Sequence, residues 1–116
     1  MEFSKARMAV PAVGLVMLLA LPNLSWAADD TASLYRTRCA ACHGADGLAT
    51  TPIAKKAPIR SFASEQVRNR TRAELEDAIL NGGVQRRPSH AFAYRGMTKE
   101  EATRLAALVK ELGAKK

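Results

Sequence analysis

Two cysteines and a histidine stand within five residues, Cys39-Ala40-Ala41-Cys42-His43. On a helical turn, positions i, i+3 and i+4 share one face. That spacing aims both sulfurs and the imidazole at one object. The chemistry it supports is covalent haem attachment: two thiols add across the two vinyl groups of a haem, and the adjacent His43 binds the iron from the same side. Blander readings of the pattern explain less. A disulfide across a three-residue separation closes a tight ring and constrains little chain. A redox dithiol of the thioredoxin kind needs a βαβ context. A zinc site needs more donors than the one further histidine, His90, and there is no second C-x-x-C. Haem attachment alone uses all three residues.

The elements around the pentapeptide are helical. Asp29, Asp30 and Thr31 precede Ala32 to Arg38, and their acidity suits the start of a helix that runs into Cys39, with Leu34 and Tyr35 as its apolar face. Tyr35 reads as core packing. Gly44-Ala45-Asp46-Gly47 is a turn signal. Residues 48–60 lack helical or strand periodicity and read as a loop, with Pro52 and Pro58 in it and Lys55, Lys56 and Arg60 along it. A short helix is expected within 61–67. Thr71-Arg72-Ala73-Glu74 is a capping box opening a helix that Asn81-Gly82-Gly83 closes. Residues 84–97 form a second loop. Thr98-Lys99-Glu100-Glu101 is a second capping box, and Ala102, Leu105, Ala106, Val109 and Leu112 then recur at helical spacing. Gly113 to Lys116 reads as a frayed basic tail. No repeat and no persuasive strand is present.

The start of the chain belongs to no domain. Lys5 and Arg7 form a basic stretch, Met8 to Leu21 an apolar run of 14 residues, and Ser25-Trp26-Ala27-Ala28 offers small residues for cleavage. A membrane-spanning helix needs roughly 20 apolar residues. Residues 1–27 therefore read as a secretory signal peptide cleaved near Ala27, with no stable membrane insertion afterwards. The expected destination is the periplasm, where haem would be attached after export. Removing Lys5, Arg7 and Glu2 with the signal leaves 89 residues with sixteen Lys or Arg against ten Asp or Glu, a formal charge of +6. A basic surface suits nucleic acid, anionic membrane or an acidic protein partner. Export argues against nucleic acid; the charge could steer an acidic redox partner or be only a solvated surface, and protein redox partners are expected. The mature chain keeps only Tyr35, Phe62, Phe92 and Tyr94 as aromatics. So thin a core is expected to close around the large apolar face of a haem.

With Leu34-Tyr35, Cys39-Ala40-Ala41-Cys42-His43-Gly44-Ala45-Asp46-Gly47, the helix ending Asn81-Gly82-Gly83 and the Thr98-Lys99-Glu100-Glu101 helix, the chain resembles a small single-haem bacterial c-type cytochrome of class I over residues 29–113. The resemblance implies an all-α fold of three to five helices around one covalently attached haem. N- and C-terminal helices would cross beside it, with Leu34 and Tyr35 against Leu105, Leu108 and Val109. It implies a loop proline, Pro58 or else Pro52, presenting its carbonyl to the His43 imidazole, a contact that fixes the ring and raises its basicity. Two departures stand out: Thr31 where a small glycine is usual at the crossing, and Leu108 where an aromatic is common.

The resemblance also implies a distal ligand to the iron, in the family usually a methionine some residues before the C-terminal helix. The mature chain offers two ordinary donors, His90 and Met97. His90 stands in Ser89-His90-Ala91-Phe92 at the place where that methionine is expected. Met97 is the expected type, but it directly precedes the Thr98 cap, where a hydrophobic residue commonly staples the chain entry. His90 is the preferred assignment, with Met97 as the alternative.

The function implied is one-electron carriage in the periplasm by a monomer or a loosely held complex subunit, not catalysis. The alternatives are a haem protein with an open distal position that binds a gas or peroxide, and a dedicated electron-transfer subunit of a periplasmic oxidoreductase.

Overall fold

A computed structural model describes residues 25–115 and the isolated Gly14. The expected signal peptide, residues 1–27, lies almost wholly outside the described residues. Helix α1, Ser25–Arg38, runs up to Cys39. The sequence places Asp29 and Asp30 at its N-terminus, but the helix begins four residues earlier, so the two acids sit in its second turn. Its last turn carries Arg36 and Arg38, the favourable sign for a helix C-terminus.

Helix α2, Ala40–His43, holds the cysteine-histidine segment. Two short helices follow, the first of them where loop was expected. Helix α3, Pro52–Lys56, has Pro52 at its first turn, where a missing N–H leaves no bond unmade, and the Thr51 hydroxyl accepts from the Ala54 N–H at 3.1 Å. Helix α4, Glu65–Arg68, fills the expected short-helix region one residue later than foreseen. Four- and five-residue helices leave no hydrophobic period to read, which is why 48–60 looked structureless.

Both capping boxes form. In α5, Arg72–Asn81, the Glu74 N–H donates to Thr71 Oγ1 at 3.2 Å and the Thr71 N–H donates to Glu74 Oε2 at 2.7 Å. In α6, Lys99–Ala114, the same pair of bonds joins Thr98 and Glu101 at 3.2 and 2.8 Å. Gly82 ends α5 in the left-handed conformation, φ 84°, which a side chain would disfavour. A 3-10 helix, Phe92–Arg95, lies in the loop before α6. The described residues thus contain six α-helices, one 3-10 helix and no strand, more helices than the three to five expected because three are single turns.

The core is Tyr35, Phe62, Leu75, Leu105, Ala106 and Val109, with Leu34, Met97 and Leu108 among the half-buried side chains packed on it. Helix α6 supplies three of the six, packs along α5, and crosses α1. Gly113 is no frayed tail. It is buried in α6, and a Cβ there would meet the Phe62 carbonyl oxygen at 2.5 Å.

Candidate haem site

The cysteine-histidine turn is fixed from three sides. The Cys39 N–H continues α1 by donating to the Tyr35 carbonyl at 2.9 Å, and the His43 N–H donates to the Cys39 carbonyl at 3.0 Å. The helix then stops at Gly44, φ 84°. Tyr35, buried in the core, donates its hydroxyl to the Gly44 carbonyl at 2.7 Å, and Thr51 donates to the Cys42 carbonyl at 2.8 Å. The Cys42 carbonyl, at the end of a four-residue helix, thereby gains a donor, and the Gly44 carbonyl takes the Tyr35 hydroxyl beside the Gly47 N–H at 3.1 Å. Burial pushes the Tyr35 phenol well above its ordinary pKa, which keeps it the donor. Packing and this bond together give Tyr35 a structural task, as expected.

His90 is placed by the second loop. Gly82 and Gly83 both take positive φ, the Arg87 N–H returns to the Gly82 carbonyl at 3.2 Å, and the His90 N–H donates to the Arg87 carbonyl at 3.0 Å. Side chains 47 residues apart in sequence then meet. The His43 and His90 ring centroids lie 5.9 Å apart, with the ring planes 27° from parallel. Burial lowers the His43 pKa to about 4, with the neighbouring His90 adding to the effect. Burial, then Arg87, lowers that of His90. Both imidazoles are therefore neutral at pH 7, the form with a lone pair to give.

Cys39 and Cys42 are both free thiols, half-buried beside His43. Burial raises the Cys39 pKa to about 11, reinforced by Cys42, so at neutral pH it is a thiol. Met97, the alternative donor, packs against the hydrophobic core instead.

The expected proline carbonyl is not found. Pro52 and Pro58 are exposed. His43 Nδ1 is buried with no hydrogen-bond partner among the described residues. What flanks the imidazole is Phe62, its ring 4.7 Å from that of His43 at 29°. Sequence reasoning missed Phe62, because nothing in its local pattern links it to a residue nineteen positions earlier. Its being one of four aromatics in the mature chain was the one available hint.

These residues fit a haem. His43 and His90, with ring centroids 5.9 Å apart, would be the two residues to hold its iron, and both are neutral, the form that binds a metal. Cys39 and Cys42 are not joined in a disulfide, so both sulfurs would be available to bond the haem vinyl groups. A bare metal ion fits poorly: no group of three or more His, Cys, Asp or Glu among the described residues could enclose one.

No match was found among curated proteins or among solved structures. The family model for cytochrome c matches residues 28–113, most of the chain. With that match, a helical fold and the C-x-x-C-H pentapeptide in place, the chain belongs to the cytochrome c family, whose cofactor is a covalently attached haem c.

Proposed function

We propose that this cytochrome c is an exported one-electron carrier with both axial positions of its haem iron filled by histidine. The single observation that carries the reading is the approach of His43 and His90 to 5.9 Å. In this reading Cys39 and Cys42 hold the haem as thioethers, His43 is the proximal ligand and His90 the distal one. When bound, the haem supplies the one-electron iron couple. The chain fixes two neutral imidazoles in a hydrogen-bonded helix end and a hydrogen-bonded loop, so neither ligand need move when the charge changes. A filled distal position disfavours binding of a gas or peroxide.

Export to the periplasm is supported by the residues 1–27 pattern alone. No helix among the described residues is long and apolar enough to cross a membrane. An acidic redox protein is the partner proposed. The loop that carries His90 has no acidic residue between Asp77 and Glu100, and it exposes Arg86, Arg87 and Arg95 beside Tyr94, which is 92 % exposed. Lys55, Lys56 and Arg60 are exposed as well. Opposite charge steers such encounters.

Optical spectra of the oxidised and reduced protein, with and without carbon monoxide, test the reading. A six-coordinate low-spin spectrum unaffected by carbon monoxide is expected. Ready carbon monoxide binding would point to an open distal position and to a sensor or small catalytic protein.

A further inference from the structure

Four rings lie in sequence through the site. Phe62 stands against His43 with centroids 4.7 Å apart, the His43 and His90 centroids are 5.9 Å apart, and those of His90 and Phe92 are 6.4 Å apart. Successive planes differ by 29°, 27° and 28°. These separations lie within the range over which aromatic rings interact, about 4.5–7 Å. We propose that Phe62 and Phe92 are positioning residues that hold the planes of the two axial imidazoles, His43 and His90, close to parallel. The proposal rests on the reading of those two histidines as the axial pair.

Both phenyl rings are themselves held. Phe62 is buried, touches the Tyr35 ring edge-on at 6.3 Å, and donates its N–H to the Gly47 carbonyl at 2.8 Å. Glycines make room for it on two sides. A Cβ on Gly47 would fall 2.3 Å from Phe62 Cδ2, and one on Gly113 would fall 2.5 Å from the Phe62 carbonyl oxygen. Phe92 is also buried. Its carbonyl accepts from the Met97 N–H at 3.1 Å, and the Arg95 guanidinium covers its ring at 5.1 Å. An imidazole whose second nitrogen has no acceptor can rotate about its metal bond unless something packs on its face. A hydrogen bond usually fixes a ligating histidine. His43 Nδ1 has no such bond among the described residues, and a clamped phenyl ring stands against its imidazole.

Ring orientation has a direct electronic readout. Each imidazole donates π density perpendicular to its own plane and so raises one of two nearly degenerate iron d orbitals. Parallel planes raise the same orbital and separate the pair. Perpendicular planes raise one each and leave the pair degenerate. In the ferric low-spin state, electron paramagnetic resonance distinguishes a rhombic signal from a highly anisotropic one.

The experiment uses the haem-loaded protein and its Phe62→Leu, Phe92→Leu and Phe62→Tyr variants. Mass and optical spectra first establish covalent haem and low-spin bis-imidazole iron in each. The wild type is expected to give the rhombic signal. Each leucine variant should shift toward the highly anisotropic form or spread between the two, and Phe62→Tyr, which keeps a ring plane, should retain the wild-type signal. A highly anisotropic wild-type signal overturns the proposal, as do unchanged g-values in both leucine variants, while leaving the axial pair intact. If Phe62→Leu fails to load haem, the wild-type signal and Phe92→Leu still decide it. An optical band for sulfur-bound iron in the wild type removes the axial pair itself, and the proposal with it.

Discussion

Arg104 on α6 donates through Nε to the Thr31 hydroxyl on α1 at 3.0 Å, joining residues 73 apart in sequence. Thr31 is only 8 % exposed. This bond explains a departure noted in the sequence. Where the family often places a small glycine at the helix crossing, this chain uses a hydroxyl as the acceptor for a charged donor from the opposite helix. The Arg104–Asp30 ion pair at 3.3 Å lies further out, with Asp30 largely exposed. Arg104→Ala is expected to cost about 1.5–3 kcal/mol, the loss of a hydrogen bond from a charged group. Asp30→Ala should cost only a few tenths, as an exposed pair does. Denaturant midpoints of the two variants measure the difference; equal effects would place the stabilisation in the ion pair.

The two donors competing for the distal position should separate cleanly. His90→Ala is expected to open the iron to carbon monoxide, while Met97→Leu leaves the spectrum unchanged. Met97 packs on the core, and a volume-conserving swap there should cost under about 1.5 kcal/mol. The ferric band of sulfur-bound iron, followed in both variants and the wild type, is the measurement. Its presence in the wild type and loss only in Met97→Leu would reassign the ligand.

Cys39→Ala together with Cys42→Ala should abolish covalent haem, and each single change should leave one thioether. Intact mass after expression with the export machinery reads this directly, along with the position of N-terminal cleavage. A protein exported with both thiols free and no added mass would contradict the attachment.

Gly113→Ala should destabilise, although alanine is favoured over glycine in a helix by about 1 kcal/mol. The added carbon lands 2.5 Å from the Phe62 carbonyl oxygen, backbone that cannot step aside as a side-chain tip could. Leu105→Ala, at a side chain 1 % exposed, is expected to cost about 2–5 kcal/mol. Thermal unfolding of both haem-loaded variants tests the pair; a more stable Gly113→Ala protein would mean that α6 shifts to accommodate it.

Electron transfer with an acidic partner should slow as salt rises, since exposed charges are screened beyond about 8 Å at 0.15 M ionic strength. The steepest loss of salt dependence should follow from neutralising Arg86, Arg87 and Arg95 together, because they share the loop that holds His90. Stopped-flow rates across an ionic-strength series measure the slope. A slope unchanged by the triple variant would move the docking surface elsewhere, Lys55, Lys56 and Arg60 being the next basic group.

Some of this protein was written in local sequence. The cysteine-histidine pentapeptide carries its chemistry in its spacing, since a single helical turn suffices to bring i, i+3 and i+4 together. Both capping boxes are likewise complete within four residues, Thr71 to Glu74 and Thr98 to Glu101. The repeat from Ala102 to Leu112 shows which face of α6 is buried. What tertiary structure alone decided depends on chain distant in sequence. The single-turn helix α3 is too short to show a period. The partner of the His43 imidazole is a phenyl ring nineteen residues on, held by Gly47 and by Gly113 from the far end of the chain. His90 and Met97 are both plausible donors by type, seven residues apart in one loop. Only the packed loop turns His90 toward His43 and Met97 toward the core, because the Gly82–Gly83 turn and the Arg87–His90 bond fix its path.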